Sequence, residues 1–531
     1  MNKMLAFFDA KSTLCDAEKV GQLFMPAAFI NDTEEEIQQL EKLIQDNSIG
    51  GLCFFHSRAS AATNYDGKKK VVYNVQSFEV LKSLIRRYQK VAKIPLLIAI
   101  DAEWGLAMRI ENTPRYPYAI TLGALQDHSV LFEVGKNIAQ DCKAAGIHYN
   151  LSPVVDINNN PDNPVIGYRS FGNDKHKVTE KALAYNKGTR SEGILSSVKH
   201  FPGHGDTATD SHLRLPVINK TKAELLNNEL YPFQMLIKNG VDSVMVGHLS
   251  VPALSGGKNI PSSISKEIIT DLLRNELGFN GVVISDALNM HAVSKNYAME
   301  GELEWLAFDA GNDILCFAEH TKEGIEMILK NATKNQIEAA FERVWKLKQK
   351  ALQVEIDSDS KLIDPTELNK KLALQSITLF SGTVDKITKF KDQGFSSISY
   401  SHITDNHFIK DIEINYDFNQ FLLKEGSIDS IHKQIINKEN ILLSIFPPQA
   451  KPADNFGISD KEIQFINELL NTKNVVLYHF GNPYVLNMID FEKAQVVVVV
   501  YQDFEVFQEN AAQHFLGTVE AKGKLPVTIG N

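Results

Sequence analysis

Between Lys199 and His212 the chain reads Lys-His-Phe-Pro-Gly-His-Gly-Asp-Thr-Ala-Thr-Asp-Ser-His. This span holds one lysine, three histidines (His200, His204, His212) and two aspartates (Asp206, Asp210). Pro202, Gly203 and Gly205 do not belong in the interior of a helix or strand. The apolar run Gly193 to Val198 should therefore end in a long, irregular, polar loop. Asp210 and His212 are two residues apart, so in a turning segment the carboxylate can reach the imidazole. That pairing fixes the tautomer and raises ring basicity, which suits acid/base work. The same composition also fits a solvated loop without chemistry, or a metal site. Metal ligation is weakened by the spacing, because histidines three or four apart need a helix to share a face, and Pro-Gly-His-Gly opposes one.

Something must position such a loop. Apolar runs short enough for strands buried on both faces recur along the first 320 residues, and several end in an ionisable residue. Pro95–Ile100 ends in Asp101, and Ile147–Val155 in Asp156. Val198 leads into Lys199 and His200, Val241–Gly247 into His248, and Gly281–Ser285 into Asp286. Further runs at Val20–Pro26, Ile49–Phe55 and Asp313–Phe317 complete the set. Between them lie segments of helical period at 74–92, 128–144, 176–192, 222–238 and 265–277, and Thr33 with Glu36 marks a helix start. Alternating strand and helix implies a parallel sheet. Seven or eight units favour a closed (β/α)8 TIM-type barrel, whose active site lies at the C-terminal strand ends. That is where the ionisable residues converge.

An amphipathic, basic helix at 333–353 should close the barrel. A polar linker follows over 354–372, and residues 373–531 form a second α/β domain. Its strands are expected near 377–380, 397–400, 441–446, 475–480 and 496–501, with helices at 460–472 and 504–516, giving a three-layer α/β/α sandwich. The barrel domain is expected over 1–353. The basic stretch around Lys68, Lys69 and Lys70 reads as a solvated loop.

The 531 residues allow two to four domains. A formal net charge of −10 argues against general affinity for nucleic acid or anionic membrane. The four cysteines match neither a metal motif nor a disulfide framework. No stretch approaches transmembrane length, and the apolar patch near the start is too short for a signal-peptide core. The chain as written is expected to be cytoplasmic, exported only if the native start is longer.

Lys-His-Phe-Pro-Gly-His-Gly-Asp-Thr followed by Asp-Ser-His resembles the signature loop of glycoside hydrolase family 3, in its β-N-acetylglucosaminidase branch. The resemblance is strong over 95–290 and weak over 370–531, where Phe480–Tyr484 and Gly523–Val527 are similar to the family's C-terminal domain. It implies that Asp286, in Ser-Asp-Ala-Leu with Met290, is the nucleophile. The alternative for Asp286 is a helix N-cap before Ala287 and Leu288. The resemblance further implies that His212 is the general acid/base, with Asp210 as its orienting partner. Asp101, Lys199, His200 and Arg169 would bind the sugar, Arg169 near the 2-acetamido group. Arg109 would either bind sugar or pair Asp101, and His248 is a further candidate at a strand end. Trp104 departs from the glycine expected after the family's acidic pair. His204 and Asp206 are expected to stabilise the loop.

These features together lead to the expectation of a retaining exo-β-N-acetylglucosaminidase. Its substrate would be an oligosaccharide with terminal N-acetylglucosamine, such as a peptidoglycan fragment, and no cofactor or metal is implied. Alternatives of the same fold are a β-glucosidase, a β-xylosidase or a glycoside phosphorylase. From a different class, a non-catalytic sugar-binding protein would keep the pocket without the chemistry.

Overall fold

The computed structural model describes residues 4–58, 73–208, 215–297, 299–353, 360–403 and 405–530. The chain divides into two compact units. The first comprises residues 1–116, 131–157 and 178–364, and the second comprises 117–130, 158–177 and 365–531. The break between 364 and 365 falls inside the expected linker. Segments 117–130 and 158–177, however, group with the second unit, although a contiguous 1–353 domain would place them in the first. The reason is apolar burial: Ile120 and Ala124 belong to the same core as Val485, Leu486 and Val527.

Among the described residues the first unit is a ring of parallel strands: β1 Phe24–Met25, β2 Ala27–Phe29, β3 Gly51–Phe55, β4 Leu97–Ile100, β5 Tyr149–Asn150, β6 Leu195–Phe201, β7 Ser243–Val246, β8 Val282–Ser285 and β9 Leu315–Cys316. Strands β2 to β8 pair in sequence order. Closure comes from the parallel bridge Ile284↔Ile314 and from β9 pairing with β1. Pro26, which has no N–H to donate, separates β1 from β2, yet its carbonyl accepts from Cys53 N at 3.0 Å and keeps the ladder continuous. These two pieces act as one strand, so eight strand positions close the barrel, as the alternation of apolar runs and helical periods implies.

The helices between strands follow their local signals. Thr33 caps Glu34–Asn47 with a reciprocal Glu36 contact, and helices Ser77–Val91, His128–Ala145 and Lys175–Ser191 lie where the period placed them. Two segments differ in detail. The 222–238 segment is two helices, Lys222–Asn227 and Tyr231–Lys238, since Pro232 starts a new helix and cannot continue the old one. Residues Glu267–Glu276 wind as a π-helix, which the hydrophobic period does not distinguish from an α-helix.

Helix Lys334–Leu352 touches both β4 and β8, which stand well apart in the ring, so it crosses one end of the barrel. Its Lys348 donates to Gln22 Oε1 at 2.5 Å, and its Lys350 pairs with Asp242. Gln22 and Asp242 both precede their strands, so this helix covers the N-terminal end and leaves the C-terminal end for the site.

The second unit is built on a six-stranded sheet: β10 Thr378–Ser381, β11 Ser396–Ser401, β12 Gln420–Leu423, β13 Asn440–Phe446, β14 Asn474–His479 and β15 Val496–Val499. Their order is β10-β15-β14-β13-β11-β12, with only β10 antiparallel. Alternate residues of β13 serve opposite faces. Ile441, Leu443 and Ile445 join Phe465 and Ile466 of helix Asp460–Thr472. On the other face Phe446 stacks on Phe480 at 4.1 Å, and Phe480 meets Phe408 of helix His407–Glu413 at 5.2 Å. Helices thus cover both faces, completing the three layers. Strand β12 was not legible in the sequence: it is an edge strand paired only with β11 and its alternating burial is incomplete.

Candidate active site

In the first unit, strands β4 to β8 deliver their chemistry at the C-terminal ends. Asp101 follows β4, and the turn after it is pinned by Asn150 of β5. The Asn150 side chain accepts from Ala102 N at 3.1 Å and donates to Ala102 O at 3.2 Å. This holds Asp101 and Glu103 in place to receive Lys199. The Lys199 side chain, about 2% exposed, donates to Asp101 Oδ1 at 2.7 Å and reaches Glu103 Oε1 at 2.9 Å. Arg109 donates to Asp101 Oδ2 at 2.8 Å and lies over the Phe55 ring at 5.2 Å. Arg109 therefore pairs Asp101, one of its two expected roles. Burial by itself would raise the Asp101 carboxyl; the charges of Lys199 and Arg109 outweigh it and hold the group well below the ordinary carboxylate range.

Asp286 follows β8. Its N–H donates to Val246 O at 2.9 Å, and its Oδ1 accepts from Ala287 N at 2.8 Å. No helix follows, because residues 287–293 are turns. The N-cap explanation for this aspartate therefore has no helix to cap. Burial pushes the Asp286 carboxyl up, but the charges of His200, His248 and Lys199 together with the Ala287 N–H bring it below its ordinary value. A half-buried carboxylate kept ionised at a barrel strand end is what a nucleophile requires.

His200 and His248 differ in their engagement. His200 Nδ1 lies 2.8 Å from Asp156 Oδ2. His248 places Nδ1 2.7 Å from Ser263 Oγ and Nε2 2.9 Å from Ala287 O. Both ring nitrogens of His248 thus serve protein groups. Expected as a further candidate at a strand end, His248 in the structure braces the Ala287 peptide beside Asp286.

The signature loop is ordered at its root. Gly203 has φ +122°, a region that favours glycine, and a Cβ on Gly205 would stand 1.6 Å from Ile157 O. His204 Nδ1 contacts Thr207 Oγ1 at 2.9 Å, and Asp206 pairs Lys220 at 2.8 Å, so both stabilise the loop. Asp210 and His212 lie outside the described residues, as do Lys68, Lys69 and Lys70. Arg169 belongs to the second unit, in the 3-10 turn Gly167–Arg169, where its Nη1 donates to Val165 O at 3.4 Å.

The sequence-based site set omitted two carboxylates that the fold brings in. Glu103 shares Lys199 with Asp101, and Asp156 holds His200. Asp156 carried the same signal as Asp101 and Asp286, an acid directly after a buried strand. Glu103 is two residues beyond that point, and only the turn at Ala102 brings it back to Lys199. Elsewhere among the described residues, two groups place His and Glu ligand atoms within 4.8 Å of one another: Glu300, His320 and Glu323, and His407, Glu505 and Glu509. None of these residues is part of the strand-end site.

Residues 16–347 match the profile of the glycosyl hydrolase family 3 N terminal domain. The chain belongs to glycoside hydrolase family 3. It is 32% identical over 380 residues to beta-hexosaminidase A of Pseudoalteromonas piscicida, a match covering 64% of this chain and 60% of that protein. The chain thus spans about three fifths of that relative's length. It is also 32% identical over 303 residues to a beta-hexosaminidase of Neisseria meningitidis serogroup C, covering 56% of this chain and 77% of that protein. Among solved structures, a glycoside hydrolase family 3 beta-N-acetylglucosaminidase from Paenibacillus sp. str. FPU-7 superposes with a TM-score of 0.78 at 26% identity, covering 97% of this chain and 99% of that one. A beta-glucoside phosphorylase, 21% identical with a TM-score of 0.79 over 98% of this chain and 95% of that one, shares the fold.

Proposed function

We propose that this chain is a retaining exo-β-N-acetylglucosaminidase that removes terminal β-linked N-acetylglucosamine from oligosaccharides. The observation that carries this is Asp286, a half-buried carboxylate just past β8, braced through Ala287 and held below its ordinary range by the charges of His200, His248 and Lys199. The names of the hexosaminidase and acetylglucosaminidase relatives support the choice of sugar. Asp286 attacks the anomeric carbon, and His212, oriented by Asp210, gives its proton to the departing glycosidic oxygen. The C1–O bond breaks and an ester between C1 and the Asp286 carboxylate forms. His212, now neutral, takes a proton from water, which attacks C1 and releases the sugar with retained configuration and Asp286 as carboxylate. Asp101, held by Lys199 and Arg109, presents its carboxylate to sugar hydroxyls. A peptidoglycan-derived fragment as natural substrate and a cytoplasmic site of action complete the proposal.

The test compares nitrophenol release from the β-N-acetylglucosaminide and the β-glucoside near pH 7, in buffers with and without phosphate. Fast turnover of the first alone, with free N-acetylglucosamine as product, is the expected result. Preference for the glucoside, or a sugar 1-phosphate product, would discard the substrate assignment while leaving Asp286 in place. Unchanged turnover in Asp286→Asn would remove the mechanism.

A further inference from the structure

Asp156 is fully buried and lies one residue past the apolar run of β5. The parallel bridge Val154↔Lys199 sets the register, so Asp156 stands beside His200 at the point where β6 turns into the signature loop. Its carboxylate takes His200 from two sides. The His200 backbone N–H donates to it at 3.2 Å, and His200 Nδ1 lies 2.8 Å from Oδ2. Oδ1 also accepts the His204 N–H at 2.8 Å, across the Pro202–Gly203 turn. One carboxylate thus fixes both the ring of His200 and the bend of backbone that follows it. A carboxylate has no proton to donate at these contacts, so Nδ1 must carry the hydrogen. That fixes which edge of the His200 ring is turned to Asp156. After burial, His200 has the largest influence on the Asp286 carboxylate, ahead of His248. The ring held by Asp156 is therefore one that acts on the nucleophile.

We propose that Asp156 is a positioning residue that acts through His200, holding its ring in the orientation that Asp286 and the bound sugar require. The kinetic part rests on the glycosidase function proposed above. The spectroscopic part does not. Asp156→Asn keeps the shape but places an N–H or a single oxygen where two carboxylate oxygens accepted three donors. The amide can satisfy His200 Nδ1 with an N–H only if the imidazole proton moves to Nε2.

The test is a double-mutant cycle with a spectroscopic readout. On the β-glycoside that the wild-type enzyme hydrolyses fastest, Asp156→Asn is expected to lower kcat roughly 10²-fold, with KM within about threefold. In a His200→Gln background, where no imidazole remains to be oriented, the same change is expected to cost less than about threefold. The wild-type proton spectrum should contain a downfield imidazole N–H resonance from the buried Asp156–His200 pair, absent from both Asp156→Asn and His200→Gln. Multiplicative losses in the cycle would overturn the proposal, as would a downfield resonance that survives Asp156→Asn. A variant that simply unfolds is recognised by loss of the thermal transition. Asp156→Glu, which restores two acceptor oxygens, then supplies the comparison: partial return of both kcat and the resonance is expected, and return of neither would reject the proposal. Should wild-type hydrolyse no β-glycoside, the functional assignment fails while the resonance still decides the role of Asp156 toward His200.

Discussion

Lys199 Nζ sits between two carboxylates, 2.7 Å from Asp101 Oδ1 and 2.9 Å from Glu103 Oε1, at the closed floor of the barrel mouth. A buried lysine is tolerable there because its charge is balanced, and two largely covered acids are tolerable because it is present. Lys199→Met removes the cation that both acids share. Removing one partner of a buried charge cluster costs about 3–5 kcal/mol, so Lys199→Met is expected to lose that much in denaturant unfolding and to lose sugar binding with it. A stability change below 1 kcal/mol would mean that the three charges are not interdependent.

Gly205 has no room for a side chain, since a Cβ would stand 1.6 Å from Ile157 O. Gly205→Ala must push the loop root away from Ile157. Overpacking of this kind costs about 1–3 kcal/mol. Activity is expected to fall by a larger factor than stability, because a small displacement of an acid/base group is amplified in rate. Full activity in Gly205→Ala would show that the loop root does not set the position of His212.

The pH profile of kcat/KM separates the two reacting groups. Asp286 lies below the ordinary 3.8 of an aspartate, so it stays ionised at any pH above about 4. The acid limb from the nucleophile should therefore appear only below that point. A basic limb is expected as His212, the acid/base proposed above, loses its proton. His212→Asn should flatten this limb and depress poor leaving groups more than good ones. An acid limb near pH 6 that follows Asp286 would contradict the electrostatic balance described here.

Lys348 gives a pH effect of the opposite kind, far from the chemistry. Burial brings its ammonium down to about 7, against about 10.4 in an unfolded chain. Between those values the unfolded state carries the proton and the folded state does not. Folding stability therefore rises with pH from about 7 to about 10, is lost again as pH falls back across that same window, and is level with pH below it. The full span is worth roughly 5 kcal/mol, at about 1.4 kcal/mol per unit. Lys348→Met, which keeps the volume and removes the charge, should flatten that slope in urea titrations at successive pH values. An unchanged slope would place the titration elsewhere.

Much of this protein was legible in order along the chain. Apolar runs of strand length alternating with segments of helical period imply a parallel barrel, and the acid or histidine after each run marks the mouth, because both patterns depend only on neighbours in sequence. Asp101, Lys199, His200 and Asp286 follow from that rule, and the Lys199–His212 loop could be recognised from its residues. Which groups pair was not legible. Lys199 reaches Glu103 only because Asn150 pins the Ala102 turn, and His248 serves Ala287 and Ser263 because β7 and β8 are adjacent in the ring. Asp156 looks identical to Asp101 in sequence, yet it holds a histidine while Asp101 is held by a lysine and an arginine. Segments 117–130 and 158–177 fall inside the barrel domain expected over 1–353, but apolar side chains in them join a core with residues beyond 365. Periodicity and residue type fix what a side chain can do; register and ring closure, which bring together residues far apart in the chain, decide to whom it does it.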